Sequence, residues 1–428
     1  MTNRRLLIHC APSGVGTGSN FGMQTVDFAA HNLLQRLGLG DRGKLLHPWK
    51  PLDVAAGGDP DLLELDKWPC EFEISDESTA QSGDLVLSWG DFQLGYDYQI
   101  QSAKRYQQIK GYAGETVSSK DAIDWCYKTF LMENRLENTG IDVGSFGTTL
   151  FQNGMADWCD ERYRPAIDRY LSQAKILGFR DPYSAWSSAR FRDASSGAFW
   201  GSDAAFLNSP EELSTVEASG YSDQISSNTI GLYIGRSTRN TSVWGLSRLV
   251  KKMSKRLGCG QIWIPWNRFS GGRLFKRIPR SLNWFLPSLT RIPAEEKIMA
   301  GDILQTMAKC RLIVTDTYHV AVNAICLGIP VLCIYEASPA SERDANMGYR
   351  KSWRDKRALL FTSTNQSDLL MCSDDLKSVK HTNAKIEHVA SLVDNTQVLQ
   401  NWRDWISKER DRNRETLESR LRELLGLS

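Results

Sequence analysis

The sequence has no Cys-x-x-Cys pair, no HExxH, no GxSxG and no kinase signature, and each absence removes a class of chemistry. Its nine cysteines are scattered without metal-ligand spacing, and Cys10, Cys310, Cys326 and Cys333 fall inside apolar patterns, so they read as buried free thiols of a reducing compartment. The six histidines (His9, His31, His47, His319, His381 and His388) form no cluster; metal hydrolysis is disfavoured and no metal site is expected. No uninterrupted apolar run reaches the roughly 18 residues of a membrane span. The short run Leu6 to Cys10 is too brief for a secretory signal and is followed at once by Gly14, Gly16 and Gly18. A cytoplasmic location is the default expectation. A net charge of +2 provides no general pull toward nucleic acid, so none is expected as a partner.

What is present is the composition of a folded protein too long for one core: 428 residues, 41% apolar and 24% charged. Short apolar runs read as strands at Leu6–Cys10, Asp84–Trp89, Ile230–Ile234, Gln261–Pro265, Arg311–Thr315 and Val331–Tyr335. Helices are expected at about 21–37, 162–177, 242–256, 294–309 and 317–327. Strands alternating with helices imply parallel, doubly wound α/β sheets with right-handed crossovers. The segment from Asn208 to Asn228, rich in Ser, Glu, Gly and Asn, reads as the connection between domains. The expected division is 1–225, 226–395 and a packed terminal helix over 396–428, where Leu399, Trp402, Trp405 and Ile406 share one helical face.

The most informative stretch is Leu312-Ile-Val-Thr-Asp-Thr-Tyr-His319, followed by a small-residue helix that ends at Gly328-Ile-Pro330. Asp316 is expected at the helix cap, and His319 in the first turn, just beyond the carboxyl end of a strand. Open α/β sheets bind ligands at that edge, and helix starts favour anions there. An imidazole so placed suits proton transfer, although a structural histidine is the competing reading. Arg236 and Arg239 follow the strand Ile230–Ile234 and suit carboxylate or phosphate; a solvated turn is the alternative. Arg180 and Asp181, bracketed by Gly178 and Pro182, offer a further anion contact or an internal Arg–Asp pair. The loop Gly14 to Gly22 opens a helix but fits neither phosphate-loop spacing. Arg268, Arg273, Lys276, Arg277 and Arg280, interleaved with Leu274, Phe275 and Ile278, make 268–286 a candidate for peripheral contact with an anionic membrane face; a solvated loop competes.

The order of these pieces resembles the polysaccharide pyruvyl transferase family, whose members have a GT-B-like pair of Rossmann-like domains facing a cleft. The similarity is carried by Ser19-Asn-Phe-Gly22, Ser145-Phe-Gly-Thr148, Phe179-Arg-Asp-Pro-Tyr-Ser184, Ser202-Asp-Ala-Ala-Phe206, Arg236 and Val314-Thr-Asp-Thr-Tyr-His-Val320 through Gly328-Ile-Pro330. It implies transfer from phosphoenolpyruvate to two hydroxyls of a sugar, forming a pyruvate ketal on a surface polysaccharide or its lipid-linked precursor. No further cofactor is implied and no metal is mechanistically required. His319 is then the general acid or base. Arg236, Arg180, Arg239, Thr317 and Tyr318 are implied on the donor side, with Ser19, Asn20 and Phe21 toward the acceptor. The sequence departs from the family pattern at Thr317, where an arginine is usual, and at Val320, where glycine is usual. Either another basic residue, Arg239, Arg343 or Arg350, substitutes for that arginine, or the donor differs. The rival readings are a nucleotide-sugar glycosyltransferase of the same fold and a non-catalytic glycan-binding member. The oligomeric state is not readable.

Overall fold

The computed structural model describes residues 4–10, 21–47, 70–75, 78–91, 94–112, 114–133, 135–136, 139–150, 161–188, 198–235, 242–266, 289–290, 299–335 and 355–427. The chain forms two units, 1–208 together with 410–428, and 209–409.

The first unit is built on seven strands: β1 (Leu6–His9), β2 (Gly43–His47), β3 (Phe72–Ile74), β4 (Leu85–Trp89), β5 (Asp142–Thr148), β6 (Ile176–Phe179) and β7 (Ala198–Trp200). Their order is β3-β2-β1-β4-β5-β6-β7, and every neighbouring pair is parallel. Parallel neighbours need long crossovers, which the helices provide: α1 (Phe21–Leu37), α2 (Tyr96–Tyr112), α3 (Ser119–Phe130), α4 (Tyr163–Gln173) and α5 (Pro182–Ser188). β1 and β4 are buried along their whole length, as strands covered on both faces must be. Trp89 stacks on Phe146 at 5.4 Å and donates its indole N–H to the Val26 carbonyl, tying β4 to α1. Each such ring, fully removed from water, contributes about 1.5–3 kcal/mol.

The expected helix over 162–177 ends earlier, at Gln173. Lys175 N–H bonds to the Val143 carbonyl at 2.7 Å, and the Ile176-Leu177 run enters the sheet as β6. A short apolar run has no period of its own, so its neighbours decide whether it coils or extends.

The second unit contains α6 (Pro210–Ser214), β8 (Thr229–Tyr233), α7 (Val243–Leu257), β9 (Gly260–Trp263), β10 (Leu289–Thr290), α8 (Ala300–Ala308), β11 (Cys310–Thr315), α9 (Tyr318–Cys326), β12 (Val331–Tyr335), α10 (Lys356–Ser363), β13 (Leu370–Cys372), α11 (Val379–Asp394) and the first part of α12 (Thr396–Leu425). Its sheet has the order β10-β9-β8-β11-β12-β13, again parallel throughout. Counted outward from the middle pair, both sheets follow one Rossmann-type plan.

The division between the units falls at Asn208/Ser209 rather than near 225. Ser209 and Glu212 form a capping box on α6, and Asp302 at the start of α8 accepts bonds from Ser219 N–H and hydroxyl at 2.9 and 2.7 Å. Segment 209–219 is thus part of the second unit instead of a connection. The terminal helix α12 is a packed element, as its sequence implies. Up to Glu409 it belongs to the second unit, where Arg403 bonds to the Gly328 carbonyl at 2.9 Å. From Arg410 it belongs to the first, where Glu418 pairs with Arg36 at 2.6 Å and Leu417, Leu421 and Leu425 are fully buried. Among the described residues, no helix is long and apolar enough to cross a membrane.

Candidate functional site

In a doubly wound sheet the crevice lies beyond the carboxyl ends of the two strands from which the chain departs in opposite directions. In the second unit these are β8 and β11, neighbours paired from Thr229 to Tyr233 and from Cys310 to Thr315. The residues that follow them are joined directly: Gly235 N–H donates to the Asp316 carboxylate at 2.7 Å. The same oxygen accepts from the Thr317 hydroxyl at 3.0 Å. Asp316 is therefore not the helix cap that the sequence implies. Thr317 occupies that position, with extended backbone and no capping bond from its side chain, because the Asp316 carboxylate turns across to the β8 end.

His319 is the second residue of α9 and is 4% exposed. Its carbonyl accepts from Asn323 Nδ2 at 2.8 Å, and its ring meets Tyr318 edge-on at 5.3 Å. The helix stops where expected: Gly328 takes φ +69°, its N–H bonds to Ile325 and that of Ile329 to Ala324, and Pro330 then leads into β12. Only glycine adopts that turn without strain.

Three residues that sequence reasoning missed complete this edge. Asp355 caps α10 and is paired with Arg357 at 2.5–3.1 Å. Arg357 reaches past it to the carbonyls of Asp316 at 2.7 Å and Ile334 at 3.2 Å. Burial acts to lower the Arg357 pKa, but the Asp355 bond and charge outweigh it and the net shift is upward. Lys356 places its ammonium over the Tyr318 ring, 4.8 Å from the centroid. The only local signal was an Asp-Lys-Arg helix start, common on any surface.

The edge of the first unit gathers three motif segments. Arg180, past the end of β6, donates to Asp91 at 2.5 Å and lies 3.8 Å from Asp203. Its side chain is 7% exposed, and its N–H bonds to the Thr148 carbonyl. Asp203 also caps the turn Ala204–Leu207, and Gly147, at φ +75°, lets β5 approach Ala204 where a Cβ would lie 3.0 Å from its nitrogen. The Arg–Asp pairing foreseen for this segment exists, but with Asp91 and Asp203. Asp181 instead accepts from Thr149 and from the Ser184 hydroxyl and N–H at 2.7–3.1 Å. Burial, with help from neighbouring His47, lowers the His9 pKa to about 4, so His9 is neutral at the end of β1. Burial likewise pushes the Cys10 thiol well up, and it is no thiolate nucleophile.

Phe21 is completely buried at the first position of α1. Ser19, Asn20, Arg236, Arg239, Arg343, Arg350 and segment 268–286 lie outside the described residues. Among the described residues, no group of three His, Cys, Asp or Glu side chains is placed to hold a metal ion.

The sequence of these segments matches the polysaccharide pyruvyl transferase family over residues 114–338, just over half of the chain. The chain belongs to that family. It is a transferase of polysaccharide biosynthesis, and membership implies a sugar or polysaccharide acceptor. The matched span contains the Arg180 and His319 segments but neither Ser19–Gly22 nor Lys356. No curated protein is significantly similar to the chain. Among solved structures it is similar to a UDP-N-acetylglucosamine 2-epimerase (13% identity over 99% of this chain and 96% of that one, TM-score 0.51). The Neisseria meningitidis UDP-GlcNAc 2-epimerase bound to UDP-GlcNAc gives 13% identity over 97% and 99%, with TM-score 0.50. The S. aureus MnaA–UDP co-structure gives 10% over 100% and 98%, also at 0.50. These likenesses establish a GT-B-like fold.

Proposed function

We propose that this pyruvyl transferase moves the three-carbon unit of phosphoenolpyruvate onto two hydroxyls of one sugar, with His319 as general acid and base. The observation that carries this reading is the bond from Gly235 N–H to Asp316, which holds the Arg236-bearing end of β8 to the turn that presents His319. The bond joins the ends of β8 and β11, so Gly235, the residue before Arg236 in the sequence, meets the turn that leads to His319.

The chemistry needs an anion contact and a proton-transfer residue. Protonation of the donor's methylene carbon gives a methyl group and an oxocarbenium-like centre. One sugar hydroxyl attacks the oxygen-bearing cationic carbon next to that methyl group and loses its proton. The C–O bond to phosphate then breaks, and the second hydroxyl adds and loses its proton. Of the two hydroxyl protons, one is balanced by that added to carbon and the other leaves with phosphate. An imidazole that gives and takes a proton within one cycle suits both halves. Arg236, Arg239, Thr317 and Tyr318 are the proposed contacts for donor carboxylate and phosphate; Ser19, Asn20 and Phe21 are retained on the acceptor side. For Phe21 this means its backbone, since the ring is buried. Arg180, held between two acids, positions the first-unit edge rather than gripping free donor. The acceptor proposed is a surface-polysaccharide sugar, free or lipid-linked, with the enzyme in the cytoplasm or peripheral at the inner membrane face.

The test is incubation with phosphoenolpyruvate and diol-bearing glycosides, following phosphate release together with the acceptor's mass gain as a ketal. A second reading, a nucleotide-sugar transferase, is favoured by the fold shared with a protein bound to UDP-GlcNAc. Binding of a nucleotide sugar, with no phosphate release for any acceptor, decides for it.

A further inference from the structure

We infer that the outer face of α7 docks on an anionic membrane surface, with Trp244 at the water–lipid boundary and Lys251 and Lys255 against the headgroups. The inference deepens the membrane placement proposed above and rests on it. The pattern of one helix carries it. α7 holds five basic residues, Arg248, Lys251, Lys252, Lys255 and Arg256, and no acidic one. At about 3.6 residues per turn, Trp244, Arg248, Lys251 and Lys255 fall within roughly 60° of one another. Leu246, Leu249, Val250, Met253 and Leu257, all buried, take the opposite side. The stripe therefore points away from the core along about 16 Å of helix.

Acids balance only one flank of this stripe. Arg256 pairs with Glu387 at 3.1 Å and with Asp394 at 3.2 Å, and Lys252 bonds to Asn383 at 2.8 Å. Lys251 and Lys255 are exposed, and among the described residues no carboxylate pairs with either. Trp244 is 54% exposed and yet held in place. The Arg248 guanidinium lies 4.3 Å from its ring and donates to the Leu376 carbonyl and the Thr382 hydroxyl at 3.0 and 3.2 Å. Gly245, the next residue, approaches Leu376 so closely that a Cβ would lie 2.2 Å from its carbonyl oxygen. Val379, three positions from both Leu376 and Thr382, is 49% exposed and is followed by exposed Lys380. The acids of that stretch, Asp374 and Asp375, are paired with Lys377 and His381. A fixed, exposed indole and a valine beside unpaired cations suit a surface that is anionic above and apolar below. Tryptophan settles at the headgroup level of bilayers, and lysine stems lie along apolar surface while their ammonium groups stay with the charged heads. A nucleic acid offers the charge but no apolar layer for Val379.

The experiment is co-sedimentation of the full chain with vesicles of phosphatidylcholine alone and of phosphatidylcholine with phosphatidylserine, at low and at physiological salt. The wild type is expected to bind only the anionic vesicles, and more weakly as salt rises. A basic side chain near such a surface is worth about fivefold in partition, so Lys251→Gln combined with Lys255→Gln should weaken binding about 25-fold. Trp244→Ala should weaken it about tenfold. All three positions are exposed, so Tm stays unmoved in both variants. Anionic-vesicle binding that is equal in wild type and both variants overturns the α7 assignment and leaves the membrane placement standing. Absence of binding by the wild type overturns both. Retention of a single-stranded oligonucleotide that is lost in the same variants, without vesicle binding, overturns the membrane assignment in favour of a nucleic-acid surface.

Discussion

At the carboxyl edge of the first sheet, opposite charges meet inside the protein: Arg180 lies between Asp91 and Asp203, and His9 is held neutral by burial. The second sheet has the same strand order, yet its edge is arranged otherwise. Asp316 bonds to backbone N–H of the neighbouring strand end, Arg357 bonds to backbone carbonyls, and His319 and Lys356 flank one tyrosine. The same strand order thus supports one edge whose arginine lies between two acids and another whose arginine, Arg357, divides its bonds between one acid, Asp355, and the backbone carbonyls of Asp316 and Ile334. The lesson is that a strand-end arginine in this fold is read by its nearest acids before it is assigned to a ligand.

The sharpest break of that comparison is His319→Ala. General acid–base loss predicts a fall in turnover of about 10²–10⁴-fold with little change in Tm, measured by phosphate release; retained turnover removes the histidine from the chemistry. Arg180→Met should act the other way, on stability. Deleting one member of a buried ion pair leaves Asp91 and Asp203 uncompensated and costs about 3–5 kcal/mol, seen as a lower denaturation midpoint of the first unit. A variant of native stability with a raised donor KM reverses the roles given to the two edges.

His9 provides a pH arm. Its folded pKa of about 4 lies below the ordinary value of 6.5, so the unfolded chain binds the extra proton between those values. Stability contributed by neutral His9 is then fully present above about pH 6.5 and is lost as pH falls toward 4, by at most ~3 kcal/mol. His9→Gln should flatten the acid side of the stability profile over that window, and an unchanged slope refutes the assignment. The smallest effect is expected from Asp316→Ala. It removes the acceptor of the Gly235 N–H, which lies on an exposed residue and can turn to water, so the stability cost is about 0.5–1.5 kcal/mol while the donor KM should rise. A fall in Tm with donor KM unmoved makes Asp316 a brace only.

Much of this was legible in the sequence. β8, β11 and β12 are β-branched or apolar runs between glycine or proline signals, and a strand buried on both faces has to read that way. The His319 turn and its Gly328 stop were legible for the same reason. Less visible was β5, Asp-Val-Gly-Ser-Phe-Gly-Thr, whose small and polar residues enter the core only because Trp89 and β6 surround them. The partners of Arg180 and Tyr318 were not legible at all. Asp91 precedes Arg180 by 89 positions, and Lys356 approaches Tyr318 from the far side of β12 in the chain; local periodicity carries no trace of either contact. The cap at Thr317 was misplaced by one residue because the bond to Gly235 that withdraws Asp316 spans 81 positions.

The most direct test of the central claim is paired measurement of phosphate release and acceptor mass gain from phosphoenolpyruvate and a diol glycoside, in the wild type and in His319→Ala. The expected result is one phosphate released per ketal formed by the wild type, and both products slowed together by about 10²–10⁴-fold in the variant. Undiminished release without the histidine, or a nucleotide sugar bound in place of phosphoenolpyruvate with no ketal formed, contradicts it.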